Sequence, residues 1–165
     1  MSLSLRIATY NLHKGMSPFH RRHVLPAQRE ALADLDLDLV FLQEAQGRHV
    51  HRARRHEDWP AESQPAALAE DRHHAYGANA RYQAGHHGNA ILSRHPILGW
   101  HNEDLSLHRL EQRGLLHVRI RLPAGDQTLH AFSVHLNLRA ADRRRQLGAV
   151  AAYVAAQVPA EEPLI

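Results

Sequence analysis

An α/β fold with mixed sheets is predicted by three features of this sequence. Near the N-terminus an alternating stretch, a Pro-started helix face and the unbroken apolar run Leu39-Val40-Phe41-Leu42 follow one another. Further on, Leu116, Val118, Ile120 and Leu122 alternate with His117, Arg119 and Arg121 and lead through "PAGD" into a second alternating stretch. Last comes a helical face over Ala140 to Val158, after which "EEPLI" reads as the beginning of another strand.

Leu3, Leu5 and Ile7 take alternate positions in the stretch Leu3 to Asn11, the period of a strand. Gly15 to His23 is rich in Pro, Ser, Arg and His and predicts a loop. Pro26 suits a first helical turn, where its missing N–H costs nothing. Leu25, Leu32 and Leu35 with Ala31 then form an apolar face running through Leu35. Leu39 to Leu42 is what a strand covered on both faces requires. Strand, helix and strand make a crossover unit, in its simplest form parallel and right-handed.

Gly47 to Pro60 is basic and His-rich and predicts an exposed loop, and Ala66 to Arg72 a short helix. Short strands are expected at His74–Ala78, Asn89–Ser93 and Ile97–Trp100. The Leu116–Leu122 alternation predicts a half-buried strand that "PAGD" turns into Thr128–Leu136, a hairpin. Along Ala140–Val158, Leu147, Val150, Ala151, Val154 and Val158 share one face, with Arg143, Arg144 and Arg145 at the start. No internal repeat or low-complexity segment interrupts this order.

Composition narrows the function. A chain of 165 residues, 44% hydrophobic and 22% charged, is long enough for one domain with a core and does not have a disordered composition. No stretch approaches the roughly 20 apolar residues of a membrane helix. "MSLSLRIATYN" carries Arg6 too early to resemble a secretory signal. The absence of Cys excludes disulfides, thiolate catalysis and cysteine-bound zinc, and predicts a cytoplasmic protein. Of the 20 Lys+Arg, Lys14 is the one Lys, and sixteen His add to the positive potential. Guanidinium forks match phosphate and carboxylate oxygens, although a GC-rich genome produces the same Arg bias with no functional cause.

In open α/β sheets ligands collect beyond the carboxyl ends of the strands. Asn11 ends the first predicted strand and Glu44 the second, so a parallel pair sets an amide beside a carboxylate. Mg²⁺ needs oxygen ligands and takes only one or two protein carboxylates, with water and phosphate completing its shell. Each residue alone reads equally as an ordinary strand-end polar group. His135 sits in "SVHLNL", and Glu111 and Arg113 in "EQRGLL" are spaced for an ion pair. Asn89 follows Gly85 and Gly88, which permit close backbone approach but also mark a turn. Paired His86-His87 and spaced His20 and His23 have no zinc-site pattern with a third ligand.

Five stretches in this order, "ATYNLHKG", "VFLQEAQ", "GHHGNAILSRHPI", "EQRGLL" and "SVHLNL", resemble the deoxyribonuclease-I-like endonuclease/exonuclease/phosphatase superfamily, and within it the small bacterial metal-dependent hydrolases. The resemblance covers essentially the whole chain. It implies the N-terminal portion of a four-layer α/β sandwich, two packed mixed sheets flanked by helices, over residues 1–165 as a single domain. It implies a phosphoesterase using Mg²⁺ (or Mn²⁺), with Glu44 as metal ligand and Asn11 orienting metal and phosphate. By the same likeness Arg113 organises the site, His135 donates to a phosphoryl oxygen, and Asn89 and Asn137 line the substrate pocket.

Family members continue past a segment like "PLI" into a strand ending in Gly-Asp-Phe-Asn, and finish on an Asp-His or similar pair. These supply the water-activating Asp, a second Asn and the principal catalytic His, so the resemblance implies a domain incomplete at its C-terminus and inactive by itself. The substrate stays open among nucleic acid, a phospholipid headgroup diester and a small phosphoester. For a nucleic acid, Lys14, Arg21, Arg22, Arg52, Arg54 and Arg55 are the expected phosphate contacts, while 5% aromatic residues offer little stacking surface. The alternative is a catalytically incomplete fragment that only binds polyanions. No obligate protein partner is implied.

Overall fold

The structure, a computed structural model, describes residues 4–123 and 127–165. Leu3, the Ala124–Asp126 part of the expected "PAGD" turn and the His20 side chain lie outside what it describes. The first strand, β1 (Ile7–Asn11), gives way to short 3-10 turns at His13–Gly15 and Pro18–His20, then α1 (Leu25–Ala33) and β2 (Leu39–His49). The helices α2 (Val50–Arg55) and α3 (Gln64–Ala69) precede β3 (His73–Tyr82), β4 (Gly85–Ser93) and β5 (Ile97–Asp104). The strands β6 (Gly114–Arg121) and β7 (Thr128–Val134) lead to α4 (Ala140–Gln157).

Two sheets result. In the first, ordered β1-β2-β4-β3, β1 runs parallel to β2 as the crossover predicts, and β4 is antiparallel to both its neighbours. The second is the antiparallel set β5-β6-β7, which includes the expected hairpin pair. Alternate residues of β2 serve different layers, which is why its sequence is apolar without a break. Val40 and Leu42 pack with Leu25, Leu32 and Leu68 of the helices, whereas Leu39 and Phe41 meet Leu116, Val118 and Ile120 of the opposing sheet. With α4 outside the second sheet, this is the sandwich the sequence predicts: helices, sheet, sheet, helix.

Several local expectations are corrected. The α1 face stops short of Leu35: the helix ends at Ala33, Asp36 turns the chain with φ 50°, and Leu37 fills the core while Leu35 is exposed. Part of the Gly47–Pro60 loop is regular, since β2 runs to His49 and α2 follows. His117, on the outer face of β6, is buried rather than exposed, because Phe132 stacks on it at 4.4 Å and the Tyr153 hydroxyl of α4 lies 3.2 Å from its Nδ1. On α4 the buried positions are polar Asp142 and Gln146, while Leu147 and Ala151 face outward. Gln146 is held inward by backbone groups: its Nε2 donates to Leu105 O and its Oε1 accepts from Asn137 N. Residues Pro163–Ile165 lie parallel to β7, with Ile165 N donating to His130 O and Phe132 N to Ile165 O, both at 2.9 Å. No helix among the described residues is long and apolar enough to cross a membrane.

Candidate active site

Glu44 does not end its strand, contrary to the sequence reading. Its strand runs five residues further, and the β2–β4 register breaks between Leu42 and Ala45, leaving Glu44 on a bulge with φ 51°. A bulge of this kind re-aims a side chain, and left-handed backbone at a non-glycine residue costs on the order of 1–3 kcal/mol. The carboxylate thereby faces the end of β1, where Asn11 Nδ2 donates to Glu44 Oε1 at 3.2 Å. Asn11 is itself oriented by His13 N, which donates to its Oδ1 at 2.9 Å. The expected amide–carboxylate pair is thus formed, but through a bulge the sequence pattern does not reveal.

Lys14, expected on a flanking loop as a phosphate contact, instead turns inward and places its ammonium on Glu44 Oε2. Its backbone is left-handed as well, at φ 61°. The buried Gln64 holds both strained segments together, donating to Lys14 O at 2.9 Å and accepting from Gln46 N at 2.9 Å. Gly15 sits in the same turn at φ 66°, and a Cβ there would come within 2.4 Å of the Gln64 amide. Burial opposes ionisation of Glu44, yet the Lys14 ammonium and the Asn11 amide outweigh it and hold its pKa down at about 2. The carboxylate is therefore charged throughout the physiological range.

His135 stands across the cleft with Nε2 4.0 Å from Glu44 Oε1, and burial and then the Arg113 charge lower its pKa. Arg113 makes three hydrogen bonds: Nε donates to Leu136 O at 3.2 Å, Nη1 to Gln112 O at 3.1 Å, and Nη2 to Glu111 Oε1 at 3.0 Å. The same Glu111 oxygen accepts from Leu138 N, so Arg113 and Glu111 tie the 105–113 loop to the 136–139 loop. Glu44, His87, Gln112, Arg113 and His135 line one narrow cleft. His87 and Gln112 are additions from the structure. "GHHG" singled out the first, but only the β4 register shows which of its two His faces Glu44's side of the sheet.

Asn89 lines the base of the cleft, but its Nδ2 is spent on Gly114 O at 2.9 Å and Ser133 O at 3.1 Å, a tie between the two sheets. Asn137 is turned toward α4, where its side chain meets Asp142 and Gln146. His86 Nδ1 bonds the Tyr76 hydroxyl at 2.9 Å, and His23 packs on the rings of His56 and Trp59, so neither joins Glu44. A hollow of about 1170 Å³ between α1 and α3 contains none of these groups.

No group of three His, Cys, Asp or Glu side chains is placed to hold a metal among the described residues. The donor set still fits a hard divalent cation, which needs only one or two protein carboxylates. Glu44 is ionised, is the one carboxylate among the described residues lining the cleft, and is aimed by a neutral amide.

A family profile described as "Endonuclease/Exonuclease/phosphatase family" matches residues 8–165. The chain belongs to that family. It is 42% identical over 164 residues to the uncharacterized protein YbhP of Escherichia coli K12, covering 98% of this chain and 64% of YbhP. It thus spans under two thirds of that relative's length. The crystal structure of an endonuclease/exonuclease/phosphatase from Beutenbergia cavernae superposes with a TM-score of 0.70 at 25% identity, over 93% of this chain and 45% of that one. The mannosyl-6-phosphatase Bt3783 of Bacteroides thetaiotaomicron shares the fold at a TM-score of 0.69 and 15% identity, over 98% and 63% of the two chains.

Proposed function

We propose that these residues form the metal-holding and phosphate-orienting part of a Mg²⁺- or Mn²⁺-dependent phosphoesterase. The observation that carries this reading is the convergence of an ionised Glu44, His135 and Arg113 on one cleft, with Asn11 bonded to the Glu44 carboxylate. Glu44 is the metal ligand, with Asn11 fixing the carboxylate. When bound, the cation supplies charge neutralisation on the phosphoryl group and acidifies a water molecule. His135, kept neutral at physiological pH, donates its N–H to a phosphoryl oxygen as charge builds there. Arg113 keeps the two loops in register through Glu111 and Leu136, so that His135 and Gln112 stay on the cleft wall.

A small or lipid-derived phosphodiester is the substrate class this site favours. Arg113 is already bonded to three acceptors and Arg52 to Gln46, which leaves Lys14 as a single charge for one phosphate rather than a track for a long backbone. Binding of polyanions without turnover is the second reading, because the Gly-Asp-Phe-Asn and terminal Asp-His segments implied by the resemblance stand nowhere in these 165 residues. The residues as given, made alone, should therefore turn over little substrate. A cytoplasmic location suits a chain free of cysteine. The test is hydrolysis of bis(p-nitrophenyl) phosphate by the full encoded protein, stripped with EDTA and then reloaded with Mg²⁺ or Mn²⁺. Turnover should vanish and return; undiminished turnover after stripping contradicts the proposal.

A further inference from the structure

Lys14 is the one Lys among 19 Arg, and its ammonium occupies the carboxylate oxygen that a cation would need. Its placement is built rather than incidental. Lys14 and Glu44 both have left-handed backbone, the buried Gln64 bonds Lys14 O and the N–H of Gln46 two residues beyond Glu44, and the Lys14 and Glu44 side chains are only 19% and 16% exposed. On the premise that Glu44 is the metal ligand, we propose that Lys14 is an exchangeable resident cation, displaced from Glu44 by the incoming metal and taken up by the phosphate of the substrate.

The reason is charge pairing. A displaced ammonium in a half-enclosed cleft needs a new anion, since an unpaired buried charge is strongly unfavourable. Among the described residues lining the cleft beside it Glu44 is the one carboxylate, and nearby Glu111 is held by Arg113. A substrate phosphate is the remaining acceptor. Metal and phosphate must then favour one another's binding, and by linkage the effect is reciprocal. The device keeps the metal site weak until a phosphoester is present.

Mn²⁺ binding to the full encoded protein, followed by the electron paramagnetic resonance of free Mn²⁺ with and without phenylphosphonate, tests this apart from turnover. Without phosphonate, Lys14→Met should bind Mn²⁺ about tenfold more tightly than the parent, within the range of ordinary coupling. Lys14→Arg, which keeps the charge, should bind as weakly as the parent. The tightening by phosphonate should be large in the parent and reduced in Lys14→Met, and Glu44→Gln should abolish the site. As a check free of folding effects in a variant, the Lys14 Nζ resonance of ¹⁵N-lysine-labelled protein should move with the same midpoint as Mg²⁺ binding. Loss of binding in Glu44→Gln with Lys14→Met unchanged, or an unmoved Nζ resonance, overturns the exchange alone. Mn²⁺ binding unaffected by Glu44→Gln overturns the metal assignment and the exchange with it.

Discussion

Glu44 on β2 and His135 just past the end of β7 approach one another, and each depends on its surroundings for its form. Asn11 and Lys14 hold Glu44 ionised, while burial keeps His135 uncharged. His135→Ala should lower kcat by about 100-fold, the scale of losing one preorganised donor, and His135→Gln should recover part of it by restoring an N–H. Equal loss in both, measured by steady-state kinetics, would mean that His135 acts otherwise than as a donor. At this scale the sequence named Glu44, Asn11, Arg113 and His135 through ordered motifs; Glu44, Arg113 and His135 line one cleft and Asn11 bonds Glu44, while their roles remain proposals. It could not show the Lys14–Glu44 pair, because that contact requires two left-handed backbones and a clamp from Gln64, fifty residues further along the chain. Nor could it separate Asn89, a tie between sheets, from a residue open to a substrate.

Among the elements, β2 was the most legible, since its unbroken apolar run corresponds to a strand packed on both faces. Its length was not, because a bulge carries the chain past Glu44 through polar residues that look like a loop. The same blindness to context misassigned α4: its apolar residues share a face, but carbonyl and amide groups near Leu105 and Asn137 draw polar Gln146 and Asp142 inward. Asn89 joins β4 to β6 and β7, so Asn89→Ala should leave two buried carbonyls short of a donor and cost about 1–3 kcal/mol. Urea unfolding monitored by circular dichroism measures this; a midpoint equal to the parent's would show that the two sheets do not need the tie.

For the whole molecule, buried imidazoles set the pH response. Burial first, then nearby positive groups, lower His87 and His117 from 6.5 to about 4. Between those values the unfolded chain takes up protons that the folded chain does not, so stability falls as pH drops from about 6.5 to about 4. Glu44 adds a loss as pH falls from 4.5 toward about 2, where its native carboxylate is finally protonated. The melting temperature should thus be level from pH 7 to pH 8 and decline by pH 5; an unchanged value at pH 5 would place these rings in contact with solvent. Affinity for a small diester should change little between 50 and 200 mM salt, whereas a loss of about 10³ for an oligonucleotide would point to tracked phosphates and a nucleic acid substrate. The most direct measurement of the central claim is the activity of Glu44→Gln in the full encoded protein, beside its thermal unfolding. A fall of about 100-fold or more in Mg²⁺-dependent phosphodiester hydrolysis, with the fold retained, is predicted; hydrolysis at the parent's rate would contradict Glu44 as the metal ligand.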